Sequence, residues 1–480
     1  MLEKKDKKRQ LVLVLFIAIL VRVGCMVWSW SGYYFKEQNE LSKSYFRQGY
    51  GIAAGYGYVR GDGKAIKHFD RLYEHINSEN FRITPDTAGP LPNEGMEFQM
   101  LHPPGMSLLV YVVHNIFAMR ADVPIQIIGI ILDAIAVGLV YWMGCTFFGM
   151  RVGFAASLAY SLFPPLIYSS AIKMPDGLLS VFICGSVACV LKAVHSKGRH
   201  EVSWYVASGL ILGLGSYLRP DYILMPLFMG LGLWLYTRRF WQSFSAMVLT
   251  QVVVFMVLFP WAYRNHGISG RWVFTSSSLG PTLITGLGEF HNPWGFGPLD
   301  EDRHEQARLQ GFSSAWSPEA DHYFRKLFFQ SIQQQPMAYL QAVVYRLPLA
   351  LMPPFDWGYA NPYKTQSFTD LREAGIDRYQ AVTRKFKYIL KAYWDVLVMS
   401  VVSFCNLFFV FVMFFKERKR FGLILLLLTP HIYSILSHIL IHMQPRLLLP
   451  SIFCWLIALG YVLARGWRLC TSSPQVNRAG

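Results

Sequence analysis

The chain has 480 residues, 53% of them hydrophobic and 15% charged, with a mean hydropathy of +0.29. Soluble proteins carry nearer to ~25% charged residues, so a soluble domain is excluded and an all-α polytopic membrane protein expected. The formal charge of +16 lies in short clusters between apolar runs, with no basic soluble domain, which excludes a nucleic-acid partner.

The first basic cluster, Lys4, Lys5, Lys7, Lys8 and Arg9, precedes an apolar run over 10–30 that lacks a small-residue cleavage site and reads as an uncleaved span. Further runs fall near 122–147, 152–171, 177–194, 203–218, 221–237, 243–262, 393–415, 421–441 and 448–466, giving about ten transmembrane helices. Arg151, Lys192, Lys197, Arg199, Arg238, Arg239, Lys416, Arg418, Lys419, Arg420, Arg465 and Arg468 occupy every second connection. This is the positive-inside pattern, and it assigns both termini to the cytoplasm. Two long loops, 31–121 and 263–392, then face outward. Each offers a short apolar segment suited to lying along the interface: Met106–Ala118 after His102-Pro-Pro-Gly105, and Met337–Met352 after Gln334-Gln335-Pro336. The expected division is an N-terminal transmembrane module (1–262, including the first outer loop), a second outer loop region (263–392) and C-terminal helices with a cytoplasmic tail (393–480). The seven cysteines lie at or inside spans, apart from Cys470, and form no disulfide framework or CxxC metal site.

The chemistry-bearing residues gather at the outer ends of the spans. Asp176, in Lys173-Met174-Pro175-Asp176-Gly177, follows a proline break and is either a helix N-cap or a functional carboxylate. Glu40, just past the first span, is a second acid on the same face, with Glu37 as its alternative. Paired carboxylates divide base and positioning duties in acid–base chemistry. Arg219, Arg264 and Arg446 also reach this face, against the positive-inside trend. They are either snorkelling anchors or a phosphate clamp, because guanidinium binds phosphate in a fork. Inside spans stand Arg22 and Asp133, expected to be a structural ion pair at least as readily as functional groups.

In this order the landmarks resemble the C-type glycosyltransferases, most closely the family-39-like enzymes and the aminoarabinose transferase of lipid A modification. Pro260-Trp-Ala-Tyr-Arg-Asn-His-Gly267 is similar to the family's Pro-Trp-x-x-Arg-Asn, and Arg271–Gly280 to its small-residue continuation. His102-Pro-Pro-Gly105 looks like its entry to the interfacial helix, Met174-Pro-Asp-Gly-Leu-Leu179 like its second-acid motif and Leu218-Arg-Pro220 like its Arg/Lys-Pro turn. Gly55-Tyr-Gly-Tyr58 matches the end of the first-acid pattern, but the acid position reads Asn39-Glu40, and Gln444-Pro-Arg446 lacks the tyrosine of the family's Arg-Tyr.

The resemblance implies transfer of a sugar from a polyprenyl-phosphate carrier to an acceptor hydroxyl outside the membrane, in a bacterial inner membrane with a periplasmic or extracellular active face. It implies Glu40 and Asp176 as catalytic, and His102, Lys173, Arg219, Arg264, Asn265, His266 and Arg446 as substrate-binding. A divalent cation would share the clamp, although no ligand cluster is readable. The acceptor is an envelope glycan, glycolipid, lipid A or protein. A transporter or flippase of a lipid-linked sugar is the alternative, for which charged groups and broken helices at mid-membrane would be expected.

Overall fold

The computed structural model describes residues 2–30, 39–61, 67–68, 83–88, 96–98, 100–117, 121–171, 174–350 and 418–471. The expected eighth span at 393–415, Glu37 and Lys173 lie outside these residues, as do the side chains of Glu40 and Arg446.

The described chain is almost wholly helical. It begins with α1 (Leu2–Trp30), followed by α2 (Asn39–Ala53) and α3 (Gly105–Phe117), which pack on each other. Between them β1 (Val59–Gly61) pairs antiparallel with β2 (Met96–Phe98), Val59 opposite Phe98. The membrane bundle continues with α4 (Asp122–Phe148), α5 (Met150–Leu162), α6 (Pro164–Ala171), α7 (Pro175–Val194), α8 (Arg199–Ser216), α9 (Met225–Thr237) and α10 (Phe240–Ser269). A further helical unit follows: α11 (Leu279–Leu287), α12 (Asp300–Leu309), α13 (Pro318–Gln334) and α14 (Pro336–Ala350). Then α15 (Arg418–Ile441), a 3₁₀ turn at Pro445–Ser451 and α16 (Phe453–Thr471) return to the bundle.

Five helices among the described residues (α1, α4, α7, α10 and α15) are long and apolar enough to cross a membrane. The expected span 152–171 is instead the pair α5–α6, bent by 60°. Its cause is local: a residue preceding proline is pushed out of the helical region, and Phe163, before Pro164, is extended at ψ 112°. The expected span 221–237 is shortened for a related reason, since Pro220–Tyr222 forms a 3₁₀ turn and α9 starts only at Met225. Helix α10 runs past its expected end at 262, so Arg264, Asn265 and His266 ride on its last turns. The two segments expected to lie along the interface are helical, as α3 and α14.

Lipid offers little hydrophobic force between helices, so close backbone approach through small residues does much of the packing. A Cβ on Gly144 of α4 would lie 2.6 Å from the Gly153 Cα of α5, and one on Gly209 of α8 would lie 2.7 Å from the Thr250 carbonyl of α10. The central core runs through α4, α5, α7, α15 and α16, around buried Ala136, Ala156, Leu179, Ile424 and Ile457. Arg22 and Asp133 meet inside it as a buried ion pair that joins α1 to α4. Asp133 also accepts from the Tyr160 hydroxyl (2.8 Å), and the Arg22 guanidinium donates to the Ser161 carbonyl (2.9 Å). Of the two readings open for these charges, the geometry is that of the structural pair.

Candidate active site

Helix α7 starts at Pro175, whose missing N–H and fixed φ suit the first helical position. Met174, extended at φ −123° and ψ 146°, is therefore the N-cap, and Asp176 stands second inside the helix with no capping hydrogen bond from any side chain. The capping alternative for Asp176 is thus corrected. The proline moved the cap back by two residues and left the carboxylate available for a tertiary partner, still favoured by the helix dipole.

That partner is Arg219. Proline again sets the geometry: Arg219 precedes Pro220 and is extended at φ −151°, reaching back from the end of α8. Its Nη1 donates to Asp176 Oδ1, and its Nε lies 2.8 Å from Asp221 Oδ2. All three are largely buried, with side-chain exposures of 20% (Arg219), 8% (Asp176) and 22% (Asp221). Burial alone would disfavour the charged guanidinium, but the two carboxylates outweigh it and raise the Arg219 pKa above its ordinary value. One cation is shared by two acids, and His438 Nε2 lies 4.0 Å from the second of them, Asp221.

The His102-Pro-Pro-Gly105 turn is fitted onto the same place. Gly105 N–H donates to the Tyr217 carbonyl at 2.8 Å, and a Cβ there would lie 2.5 Å from that oxygen, which is why the position takes glycine. Above it the His102 ring meets Tyr45 of α2, centroids 4.9 Å apart, and the Tyr58 hydroxyl donates to the His102 carbonyl at 3.1 Å. Burial pushes the Tyr58 phenol pKa well up, so it stays a neutral donor. Tyr45 is near enough to act electrostatically on both Tyr58 and Arg219.

Tyr58 connects this wall to the end of α10. Arg264 Nη2 donates to the Tyr58 carbonyl (3.2 Å), and its guanidinium lies 4.5 Å from the Trp261 ring centroid and 5.7 Å from that of Tyr58. A cation over aromatic faces is held in place while keeping its charge. Asn265 is fully buried; it accepts from Arg264 Nη1 (2.8 Å) and donates to the Val273 carbonyl (2.8 Å), folding the chain back after the helix. His266 turns aside to Trp272, ring centroids 4.4 Å apart. The backbone of Arg446 lies in the 3₁₀ turn that packs on α7, and that of Glu40 in the first turn of α2.

Asp176, Arg219, His102, Arg264 and Asn265 are therefore linked by a chain of contacts at one end of the bundle. Asp221 was missed from sequence although it adjoins Arg219 in Leu218-Arg-Pro-Asp221. So was a second cluster in which fully buried Arg346 of α14 contacts Glu289 (2.6 Å) and the Ile439 carbonyl (2.9 Å), while Glu289 accepts from Met443 N–H (3.0 Å) and pairs with His442. Burial would raise the Glu289 pKa, but His442 and Arg346 together hold it below the ordinary carboxylate value. The cluster satisfies the Ile439 carbonyl near the end of α15 and the Gly286 carbonyl near the end of α11, and fixes the residues just before Gln444-Pro-Arg446. Among the described residues no group of three or more His, Cys, Asp or Glu converges as a metal site would.

Residues 101–263, which hold the His102 turn, Asp176, Arg219 and the start of the Arg264 exit, match the family model described as dolichyl-phosphate-mannose-protein mannosyltransferase. The fold is similar to the archaeal oligosaccharyltransferase AglB from Archaeoglobus fulgidus in complex with an inhibitory peptide and a dolichol-phosphate, at a TM-score of 0.52 and 13% identity over 97% of this chain and 52% of that one. It is likewise similar to the oligosaccharyltransferase of the same organism in complex with Zn and sulfate (TM-score 0.50, 14% identity, 95% of this chain and 49% of that) and in the apo form (0.51, 14%, 95% and 50%). Over nearly its whole length the chain shares the fold of these oligosaccharyltransferases. The resemblance read from its motifs holds at that level. The chain spans about half the length of the solved structures it matches. No curated protein matches it in sequence.

Proposed function

We propose that this protein is an integral membrane glycosyltransferase that moves a sugar from a polyprenyl-phosphate carrier to an acceptor hydroxyl at the outer face of a bacterial inner membrane. The observation that carries the reading is the grouping of a buried, Arg-paired carboxylate (Asp176) with the ring-stacked Arg264 at one end of the bundle. In the reaction the acceptor oxygen bonds to the anomeric carbon while the carbon–oxygen bond to phosphate breaks, its electron pair leaving on the phosphate. The acceptor proton passes to a carboxylate, and the transition state has oxocarbenium character. The departing polyprenyl phosphate, a phosphomonoester, needs no proton but does need positive charge nearby.

Asp176 and Glu40 take the base and orienting roles. Arg264 and Arg446 supply charge to the phosphate, with Lys173, His102 and His266 completing the substrate-binding wall; Asn265, expected there too, is buried with its amide spent on Arg264 and Val273 and positions Arg264 instead. Arg219 orients the Asp176 carboxylate and faces the phosphate side of the site. A divalent cation would add to that charge. The grouping at one interface disfavours a transporter, whose working charges belong at mid-membrane. The only mid-span pair among the described residues, Arg22–Asp133, is engaged by the Ala18 carbonyl within α1 and by Ser161 and Tyr160 of α5.

Mass spectrometry of envelope lipids and glycans with and without the gene tests the activity. One glycan or lipid should lose a single sugar on deletion and recover with the wild-type gene; unchanged profiles would refute it. The orientation has its own test, because the alternating Lys/Arg pattern assigns Gln310 to the outside and Ser196 to the cytoplasm. A cysteine introduced at Gln310 should be labelled from outside intact cells and one at Ser196 should not. The reverse pattern would move Asp176 to the cytoplasmic side.

A further inference from the structure

Helices α1 and α4 enclose a wholly apolar groove of about 570 Å³, running from Leu11 to Met26 on α1 and from Ile127 to Leu139 on α4. Its α1 wall covers fifteen residue steps, about 22 Å at ~1.5 Å per residue, longer than the ~15 Å of one hydrocarbon leaflet. The groove faces outward, with Ile131 53% and Ile135 49% exposed.

Its ends differ in charge. Lys8 precedes Leu11 by three residues and Leu15 by seven, so it projects from the same face of α1 as the groove, and Lys5 lies one turn further back on that side. Both lysines are exposed. The Tyr141 hydroxyl donates to the Lys7 carbonyl at 2.9 Å, which pins this basic start of α1 to the far end of α4. The opposite end of α4 adjoins the candidate active site, where Ala121 N–H donates to the Tyr50 hydroxyl (3.2 Å).

We propose that this groove binds an anionic phospholipid, an acyl chain lying between α1 and α4 and the phosphate facing Lys5 and Lys8. Charge complementarity selects an anionic headgroup over a zwitterionic one. The position of the basic mouth, across the bilayer from Asp176, selects a structural lipid over the sugar carrier, whose phosphate must reach the opposite end. The exclusion of the sugar carrier rests on the proposed catalytic end; the groove and its basic mouth do not.

Native mass spectrometry of the purified full-length protein, equilibrated with phosphatidylglycerol, phosphatidylcholine or polyprenyl phosphate, decides it. One phosphatidylglycerol should be retained in preference to the other two. The Lys5→Gln/Lys8→Gln variant should weaken retention by about fivefold per lysine, from ~1 kcal/mol for each basic residue beside an anionic lipid. Gly138→Trp provides a charge-independent arm: a Cβ on Gly138 meets nothing within 4 Å, so the ring can fill the groove without a clash. It should abolish the adduct with little change in thermal unfolding. Equal retention of phosphatidylglycerol and phosphatidylcholine, preference for polyprenyl phosphate, or an adduct surviving in Gly138→Trp would each overturn the proposal. So would a wild-type protein that holds no lipid, which would mean that the chain's own residues fill the groove.

Discussion

Asp176→Asn is expected to lower sugar transfer by a factor of ~10²–10⁴, the usual loss when a positioned base is removed. Asparagine keeps the size and position of the side chain at the second residue of α7, so insertion and assembly should change little. Arg219 loses one carboxylate but keeps Asp221 at 2.8 Å, which spares the molecule an uncompensated buried cation. The measurement is transfer from a polyprenyl-phosphate sugar by purified variants, normalised to folded protein. Asp221→Asn is the natural comparison: it also removes one of the two partners of Arg219, but leaves the Asp176 carboxylate in place, and should cost far less. Full transfer in Asp176→Asn would remove Asp176 from the chemistry. Equal losses in both variants would mean that the arginine's charge balance, and not a base at Asp176, is what matters. Glu40→Gln is expected to resemble Asp176→Asn, and a loss in Glu37→Gln in its place would move the first acid to position 37.

Hydropathy made the bundle legible because a helix in lipid satisfies its own backbone, so span position is written almost entirely in apolar run length. It failed where proline intervened. Pro164 bends the third expected span and Pro220 delays the sixth, although both prolines were plain in the sequence; what was missing was the effect of each on the residue before it. At the site, Asp176, Arg219 and Arg264 were recognisable individually from their motifs. Their partners were not. The Arg219–Asp176 pair joins residues 43 apart, and the contact of Arg264 with Tyr58 spans 206. Asp221 was passed over because its neighbour Arg219 took the role assigned to that turn. Glu289 left no periodic signal in its polar loop, and Arg346 lay inside a segment read only as an apolar interfacial helix; the end of α15 is what gives both their meaning.

The largest stability effect is expected at the buried pair between α1 and α4. Arg22 is completely buried and Asp133 is 2% exposed, and the pair is completed by the Ala18 and Ser161 carbonyls and the Tyr160 hydroxyl. Asp133→Leu would leave a guanidinium in the apolar core with only carbonyl partners. Breaking such a pair from one side typically costs ~3–5 kcal/mol. Arg22→Met should cost a similar amount, by stranding the carboxylate with one hydroxyl donor. The double variant Arg22→Met/Asp133→Leu removes both charges together, and replacement of a buried pair by apolar residues of similar volume is often neutral or stabilising. Its thermal unfolding in detergent should return close to that of the wild type. Transfer separates this structural role from a functional one. Neither charge lies at the active end of the bundle, so the double variant should transfer sugar normally, whereas the working charges of a transporter or flippase would be lost with it. A stable double variant with no transfer would assign the pair a part in function, and an Asp133→Leu variant as stable as the wild type would show that the pair does not hold α1 in place.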